Sequence, residues 1–180
     1  MGDLRRAVGV PVVVLLAALT GCGTDKAAAA CEGIQIYPAH TTETAAALIA
    51  DPESAERFKA AVARYGSRTE RAAVRHVTGL SSPDEGVQYD QVSLYVETDR
   101  TPPPPIDGLS DERHSEKSRA HERMGEEGQV IVRALSKWWR GRDESQAEYA
   151  EPWVWVQYEG GSGSMAREAF ERSAKFCAPG

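Results

Sequence analysis

Basic residues are in the minority in this chain of 180 residues, with 21 Lys and Arg against 27 Asp and Glu and a formal net charge of −6. A general nucleic-acid-binding protein needs clustered basic residues that displace counterions from phosphates. The acidic balance therefore excludes that class, and nucleic acid is not a predicted partner. Two large lobes are excluded by length, because one domain usually takes about 100–200 residues. Hydrophobic residues make up 41% of the chain, which is enough for one core and excludes wholesale disorder.

The sequence also lacks an apolar run at its N-terminus that is long enough to cross a bilayer, which takes about 20 residues. The run at Val8–Leu19 is shorter and is interrupted by Gly9 and Pro11. It follows the positive pair Arg5 and Arg6. A short positive region before a short apolar run is typical of an export signal.

The apolar run ends in four residues, Leu19-Thr20-Gly21-Cys22. They resemble the bacterial lipobox, in which an aliphatic residue and two small residues precede an invariant cysteine. The resemblance implies a bacterial lipoprotein in which the Cys22 thiol receives a diacylglycerol and cleavage follows Gly21. It also implies a lipid anchor on the extracytoplasmic face of the cell membrane. An ordinary secretory signal with a coincidental cysteine is the alternative, and the resemblance covers only residues 1–22.

Three segments follow from this interpretation. Residues 1–21 form the signal peptide, residues 22–30 a lipidated tether, and residues 31–180 a single α+β domain. The signal peptide carries a net charge of +1, so the mature chain carries −7. This negative charge is expected to keep the body of the protein off an anionic bilayer surface.

Cysteine is scarce, with three residues in the chain. If Cys22 carries the lipid, Cys31 and Cys177 remain at the two ends of the domain. Export implies an oxidising compartment in which disulfides persist, so we predict a Cys31–Cys177 disulfide. The alternative is a catalytic thiol, but neither residue has a recognisable catalytic signature around it.

Hydrophobic periodicity predicts an α+β fold with the ferredoxin-like order β-α-β-β-α-β and an added C-terminal helix. The predicted strands are residues 33–37, 73–78, 89–98 and 153–158, although residues 72–74 could instead extend a helix. The predicted helices cover residues 41–50, 51–66 and a long segment between 110 and 138, where Gly125 and Gly128 could break the helix. Helical spacing of apolar residues predicts one buried stripe on each of the last two: Phe58, Ala61, Val62 and Tyr65 on the first, and Met124, Gly128, Ile131, Leu135 and Trp138 on the second. Ser164 is expected to cap the last helix.

The usual signatures of enzymes are missing. The chain has no Gly-x-Ser-x-Gly elbow, no His-Glu-x-x-His helix and no Gly-Lys-Ser/Thr phosphate loop. His114 and His121 share a helical face but lie about 10 Å apart along the axis, too far for one metal ion. Residues 161–166 match G-x-G-x-x-A, but no second strand follows, so a turn with a helix cap is the simpler interpretation. No catalytic residue, metal ligand or cofactor is predicted.

All four tryptophans, at positions 138, 139, 153 and 155, lie within 18 residues of one another. Trp153 and Trp155 are expected on one face of a strand, with valines on the other. They are the candidate ligand-binding residues, as an exposed aromatic surface for a glycan, a peptide or a partner protein. The alternative is that both indoles pack in the core against the C-terminal helix.

The sequence therefore predicts a lipid-anchored lipoprotein of the cell envelope that acts as a non-enzymatic binding or interaction module. Its predicted partners are the membrane, through the anchor, and an envelope protein or glycan. A small cell-wall-acting hydrolase is the alternative, with a site that would form only in three dimensions.

Overall fold

The computed structural model describes residues 33–82, 93–104, 111–141, 153–169 and 176–177. The chain divides into two units, residues 1–30 and 31–180, and every described residue belongs to the second. The predicted signal peptide, the tether, Cys22 and Cys31 lie outside the described residues, as do residues 89–92 of one predicted strand. None of the helices in the described ranges is both long and apolar enough to cross a bilayer.

Three short helices follow the first strand, β1 (Ile34–Gln35): α1 (Ala45–Ala50), α2 (Ser54–Tyr65) and α3 (Arg68–Val74). The hydroxyl of Thr44 accepts a hydrogen bond from the Ala47 backbone N–H and caps α1, three residues later than the predicted start. The predicted apolar stripe of α2 is confirmed, because Phe58, Ala61 and Val62 are buried. Periodicity alone was sufficient to identify the buried face of α2.

The strand predicted over residues 73–78 is wrong in its first part, because residues 68–74 form α3 and the strand β2 spans Val77–Ser81. A capping box begins α3: the Ser67 hydroxyl accepts from the Glu70 N–H, and the Glu70 carboxylate accepts from the Ser67 N–H. This exchange satisfies two backbone donors that a helix start otherwise leaves without partners. The alternative in which residues 72–74 extend a helix is therefore the better one.

The long helix α4 spans Asp111–Trp138 without a break at Gly125 or Gly128. Its predicted apolar stripe is confirmed where Ile131, Leu135 and Trp138 enter the hydrophobic core. The core also contains inward side chains of the sheet, so α4 covers one face of the sheet.

The main sheet has four strands in the order β2-β3-β4-β5, with β3 at Ser93–Thr98, β4 at Trp153–Gln157 and β5 at Ser164–Ala169. The central pair β3 and β4 is parallel, and α4 lies between these two strands in the chain. Both outer pairs are antiparallel. The α+β class is confirmed.

The added C-terminal helix is wrong in its first six residues, because Ser164–Ala169 forms β5. A short turn at Glu159–Gly161, with Gly160 and Gly161 at positive φ, returns the chain beside β4, and Arg167 pairs with Trp155. Ala, Arg and Glu favour helix by propensity, but hydrogen bonding to the open edge of β4 overrides that preference.

The ferredoxin-like order is not confirmed, because the first predicted strand does not join the main sheet. Instead β1 pairs in parallel with β6 (Phe176–Cys177) in a separate two-stranded sheet. In this pairing Gln35 lies opposite Cys177, which is disulfide-bonded and only 9% exposed. The pairing with Cys31 remains a prediction, although β1 begins three residues after Cys31 in the chain.

The contact between α4 and β5 predicts opposite effects for two glycines of one helix. A Cβ at Gly128 would lie 2.7 Å from the Ala166 Cβ and 3.0 Å from the Met165 Cβ. We expect Gly128→Ala to lower the free energy of unfolding by about 1–3 kcal/mol, because overpacking outweighs the gain in helix propensity.

Gly125→Ala is the matched control, because the one described atom that its Cβ would meet within 4 Å is the Met165 carbonyl oxygen, at 3.8 Å. We expect this variant to be more stable by up to about 1 kcal/mol. Urea unfolding of both variants checks the prediction. Equal stabilisation by the two alanines would contradict close packing of β5 on α4.

Candidate functional site

The strands of the main sheet present two different faces. Leu94 and Val96 of β3, and Val154 and Val156 of β4, are fully buried in the core. The residues that alternate with them, Trp153 and Trp155 among them, are only partly buried. This is the period of two expected for a strand with one covered face. The outer face of the sheet is the one turned away from the core.

Strand pairing assembles an aromatic cluster on this outer face. In the parallel pair Tyr95 lies beside Trp155, and in the antiparallel pair Arg167 lies on its other side. The rings of Tyr95 and Trp155 make an edge contact, with centroids 6.1 Å apart. The Arg167 Cζ lies 4.5 Å from the ring centroids of both Trp153 and Trp155. We call these four residues the aromatic face.

Arg167 is the residue that gives the aromatic face its chemistry. Its π contacts with two indoles are cation–π interactions, which favour a fixed guanidinium plane. The side chain is exposed, and within the described ranges no carboxylate lies in ion-pair distance of it. A stacked guanidinium keeps its N–H donors in the plane, where a carboxylate or phosphate can bind in a bidentate manner.

The two predicted ligand-binding residues therefore lie on one face, and the alternative of packing against a C-terminal helix at residues 164–169 is wrong. Trp138 and Trp139 belong to the core instead, at 2% and 1% exposure, and the Trp139 Nε1 donates to the Glu43 carbonyl oxygen over 2.9 Å. Sequence reasoning missed Arg167 because residues 164–169 were expected to form a helix. The segment Ser-Met-Ala-Arg-Glu-Ala does not alternate polar and apolar residues, so its pattern gave no signal for a strand.

A cleft of about 590 Å³ continues the outer face beyond the carboxyl ends of β3 and β4. Tyr95 lines it at the side of the aromatic face. Three carboxylates also line this acidic cleft: Glu97, Asp99 and Glu159. Carboxyl ends of neighbouring parallel strands are a common position for ligand sites in sheets with helical crossovers. The outer face thus has a basic aromatic end and an acidic end.

His76 is paired with one of the cleft carboxylates, but its ring has no free nitrogen. The Arg75 Nε donates to His76 Nε2 over 2.9 Å, so the proton lies on Nδ1, which donates to Asp99 Oδ1 over 2.8 Å. The His76 carbonyl oxygen also accepts from the Asp99 N–H, which continues the pairing of β2 with β3. A general base needs an unoccupied acceptor nitrogen near its substrate, and His76 has none. The His76–Asp99 pair therefore joins the two strands.

Other histidines in the described ranges make local contacts. The Nδ1 atoms of His40 and His121 lie 3.0 Å from the carbonyl oxygens of Tyr37 and Lys117, respectively. Within the same ranges, no group of three or more His, Cys, Asp or Glu side chains is placed to hold a metal ion. Residues 161–166 lie in the turn and the strand β5 rather than at a helix start, so they do not have the strand–loop–helix context of a dinucleotide loop.

No protein-family model, no curated protein and no solved structure matches the chain. The candidate site is therefore defined by its own geometry. It combines two partly exposed indoles, a stacked arginine and an adjoining acidic cleft on one face of a mixed α+β domain.

Proposed function

We propose that this chain is a lipid-anchored lipoprotein on the extracytoplasmic face of the bacterial cell membrane that binds an acidic glycan of the cell envelope. The order of positive charge, apolar run and Leu19-Thr20-Gly21-Cys22 supports the anchor. One observation carries the binding role: Trp153 and Trp155 are partly exposed and stacked with Arg167 on the outer face.

The chemistry of the aromatic face favours a glycan over an apolar peptide. Indoles offer flat apolar surface to the C–H faces of sugar rings, while neighbouring polar groups bind hydroxyls. Gln157 and Glu97 provide such polar groups on the same outer face. Arg167 adds a planar donor for a carboxylate, so a sugar that carries a carboxylate fits the aromatic face better than a neutral one.

A small cell-wall hydrolase is the second candidate, favoured by the three carboxylates that line the acidic cleft. Glycoside hydrolysis uses two carboxylates fixed across a cleft at a defined separation. One of the three, Asp99, is already paired with His76 Nδ1 over 2.8 Å. Binding without chemistry is therefore the simpler function for the outer face.

Two disaccharides separate the contributions of the aromatic face. N-acetylglucosaminyl-N-acetylmuramic acid carries a carboxylate, whereas di-N-acetylchitobiose has similar rings and none. We expect the mature protein to bind the first more tightly, and Trp155→Ala to weaken that binding by roughly tenfold or more, a loss of about 1.4 kcal/mol. Tryptophan fluorescence measures binding, because Trp138 and Trp139 are buried and should contribute little change.

Arg167→Gln should remove the preference for the carboxylate while the weaker binding of chitobiose remains. Arg133→Gln is the matched control, an exposed arginine of α4. Equal affinity of wild type and Trp155→Ala for the acidic disaccharide would overturn the binding proposal. Cleavage of glycan strands that is lost in Glu97→Gln would favour the hydrolase instead.

A further inference from the structure

We propose that four arginines at the end of α2 and along α3 form a docking surface for the anionic headgroups of the membrane that holds the lipid anchor. These residues, which we call the arginine face, are Arg64, Arg68, Arg71 and Arg75. The inference rests on the proposed lipid anchor, and it adds a second contact that would orient the domain on the bilayer.

The arginine face follows from the geometry of α3. Arg68, Arg71 and Arg75 are spaced at i, i+3 and i+7, which places them along one side of a helix. All three are exposed, whereas Glu70 and Val74 point into the protein. Arg64, in the last turn of α2, is exposed as well and precedes the connection to α3.

The charges of the arginine face are not neutralised within the described part of the chain. None of the four guanidinium groups lies in ion-pair distance of a carboxylate there. Their contacts there involve no carboxylate: Arg71 donates to the Gly66 carbonyl oxygen, Arg64 lies over the Tyr65 ring, and the Arg75 Nε donates to the His76 Nε2. Glu70 is the only carboxylate of α3, and it is buried against Lys137.

The acidic balance of the whole chain makes this surface unusual. A net charge of −7 on the mature chain would hold the domain off an anionic bilayer if it were evenly spread. Electrostatic attraction at the membrane decays within about 8 Å at physiological salt, so a local cluster acts where it touches. The arginine face is therefore the side of the domain that an anionic surface would select.

The bilayer is the anionic surface that the anchor would keep within reach. Eight residues lie between Cys22 and Cys31, so a fully extended chain spans at most roughly 30 Å between these two residues. The chain then passes beside the arginine face, because the Tyr37 ring stacks on Tyr65 with centroids 6.4 Å apart. Guanidinium groups bind phosphate oxygens in a bidentate manner, which suits phospholipid headgroups.

The test uses the lipidated protein purified from a bacterium and reconstituted into vesicles. An environment-sensitive fluorophore is attached to Ala72→Cys, an exposed position within the arginine face. The vesicles consist of phosphatidylcholine alone or of phosphatidylcholine mixed with phosphatidylglycerol. We expect a blue shift of the fluorophore only with phosphatidylglycerol, and its loss in high salt.

A triple variant, Arg64→Gln with Arg68→Gln and Arg75→Gln, should lose the shift. Each basic residue at an anionic membrane changes binding by about fivefold, so the three together should reduce the docked fraction relative to the undocked one by roughly 100-fold. The matched control removes the same charge from exposed positions of α4, with Arg119→Gln, Arg123→Gln and Arg133→Gln. This control should keep the shift.

Several outcomes would overturn the docking surface: no shift with phosphatidylglycerol, an undiminished shift in the triple variant, or a shift produced by soluble poly(glycerol phosphate) but not by the vesicles. Flotation with phosphatidylcholine vesicles in high salt tests the anchor separately. An anchored protein floats, whereas Cys22→Ala, produced in the same way, carries no lipid and should not float. A wild-type protein that does not float but still shifts with phosphatidylglycerol would contradict the anchor and support the arginine face.

Discussion

Replacing Cys31 and Cys177 together by alanine is expected to lower the free energy of unfolding of the mature chain by about 4–5 kcal/mol. The predicted disulfide would close a loop over nearly the whole domain and so restrict the unfolded chain. Cys177 is disulfide-bonded. Its carbonyl oxygen accepts from the Ile36 N–H, which holds Cys177 beside the strand that follows Cys31 in the chain. Guanidinium unfolding of the two proteins measures the difference.

Reduction of the wild type is the control for this prediction, because it removes the same bond without changing a residue. The reduced wild type should unfold at nearly the same denaturant concentration as the double variant. Intact mass with and without reductant checks the bond itself. Free thiols at Cys31 and Cys177 in the exported protein would contradict the pairing.

The second large effect is expected at the ion pair between α3 and α4. The Lys137 Nζ lies 2.7 Å from the Glu70 Oε1, and Glu70 is only 5% exposed. Lys137→Met would leave a buried carboxylate without its cation, which costs about 3 kcal/mol or more of the free energy of unfolding. Urea unfolding at neutral pH measures this loss.

Lys137→Met is also expected to reverse the way in which the stability contributed by Glu70 depends on pH. Burial by itself raises the pKa of Glu70, but hydrogen bonds from Lys137 and from the Ser67 N–H outweigh it and hold the pKa below its usual value. Because the folded-state pKa is lowered, the stability from Glu70 is present at neutral pH and is lost as the pH falls through that folded-state pKa. In Lys137→Met burial should dominate and raise the pKa, so acidification should reduce the stability deficit.

Tyr37→Phe is the control for this series. The Tyr37 hydroxyl is buried beside Glu70. Burial and the nearby Glu70 carboxylate raise the pKa of Tyr37, but among the described residues no group lies in hydrogen-bond geometry with its hydroxyl. Its removal keeps the ion pair and should leave the free energy of unfolding unchanged or slightly higher. The same loss of stability on acidification in Lys137→Met and in the wild type would contradict the assigned role of Glu70.

Hydrophobic periodicity correctly predicted the helices and strands that bury one face and expose the other. The stripes of α2 and α4 and the alternation of β4 are confirmed. Each of these elements buries one face, and its apolar residues occupy the positions on that face. The start of α3 was not predicted, although Ser67 and Glu70 have the spacing of a capping box. The strand at residues 164–169 was not readable from propensity, because its partner is the edge of β4.

The candidate site was predictable only in part, because the local sequence pattern does not show which strands pair. Trp153 and Trp155 are two residues apart in one strand, so their common face follows from the chain alone. Arg167 comes from the next strand, and its place between the indoles depends on the register of β4 against β5. The arginine face was missed because residues 73–75 were expected to belong to a strand.

By itself the sequence determined local properties of this protein: the order of positive charge, apolar run and Leu19-Thr20-Gly21-Cys22, the number of cysteines and the buried faces of single elements. These properties depend on neighbouring residues, so they can be read without the fold. Only the tertiary structure decided which indoles remain partly exposed, that Arg167 lies over them, and where on an acidic chain four arginines lie that form no ion pair with any described residue. Those features depend on strand register and helix packing, which bring together residues distant in the chain.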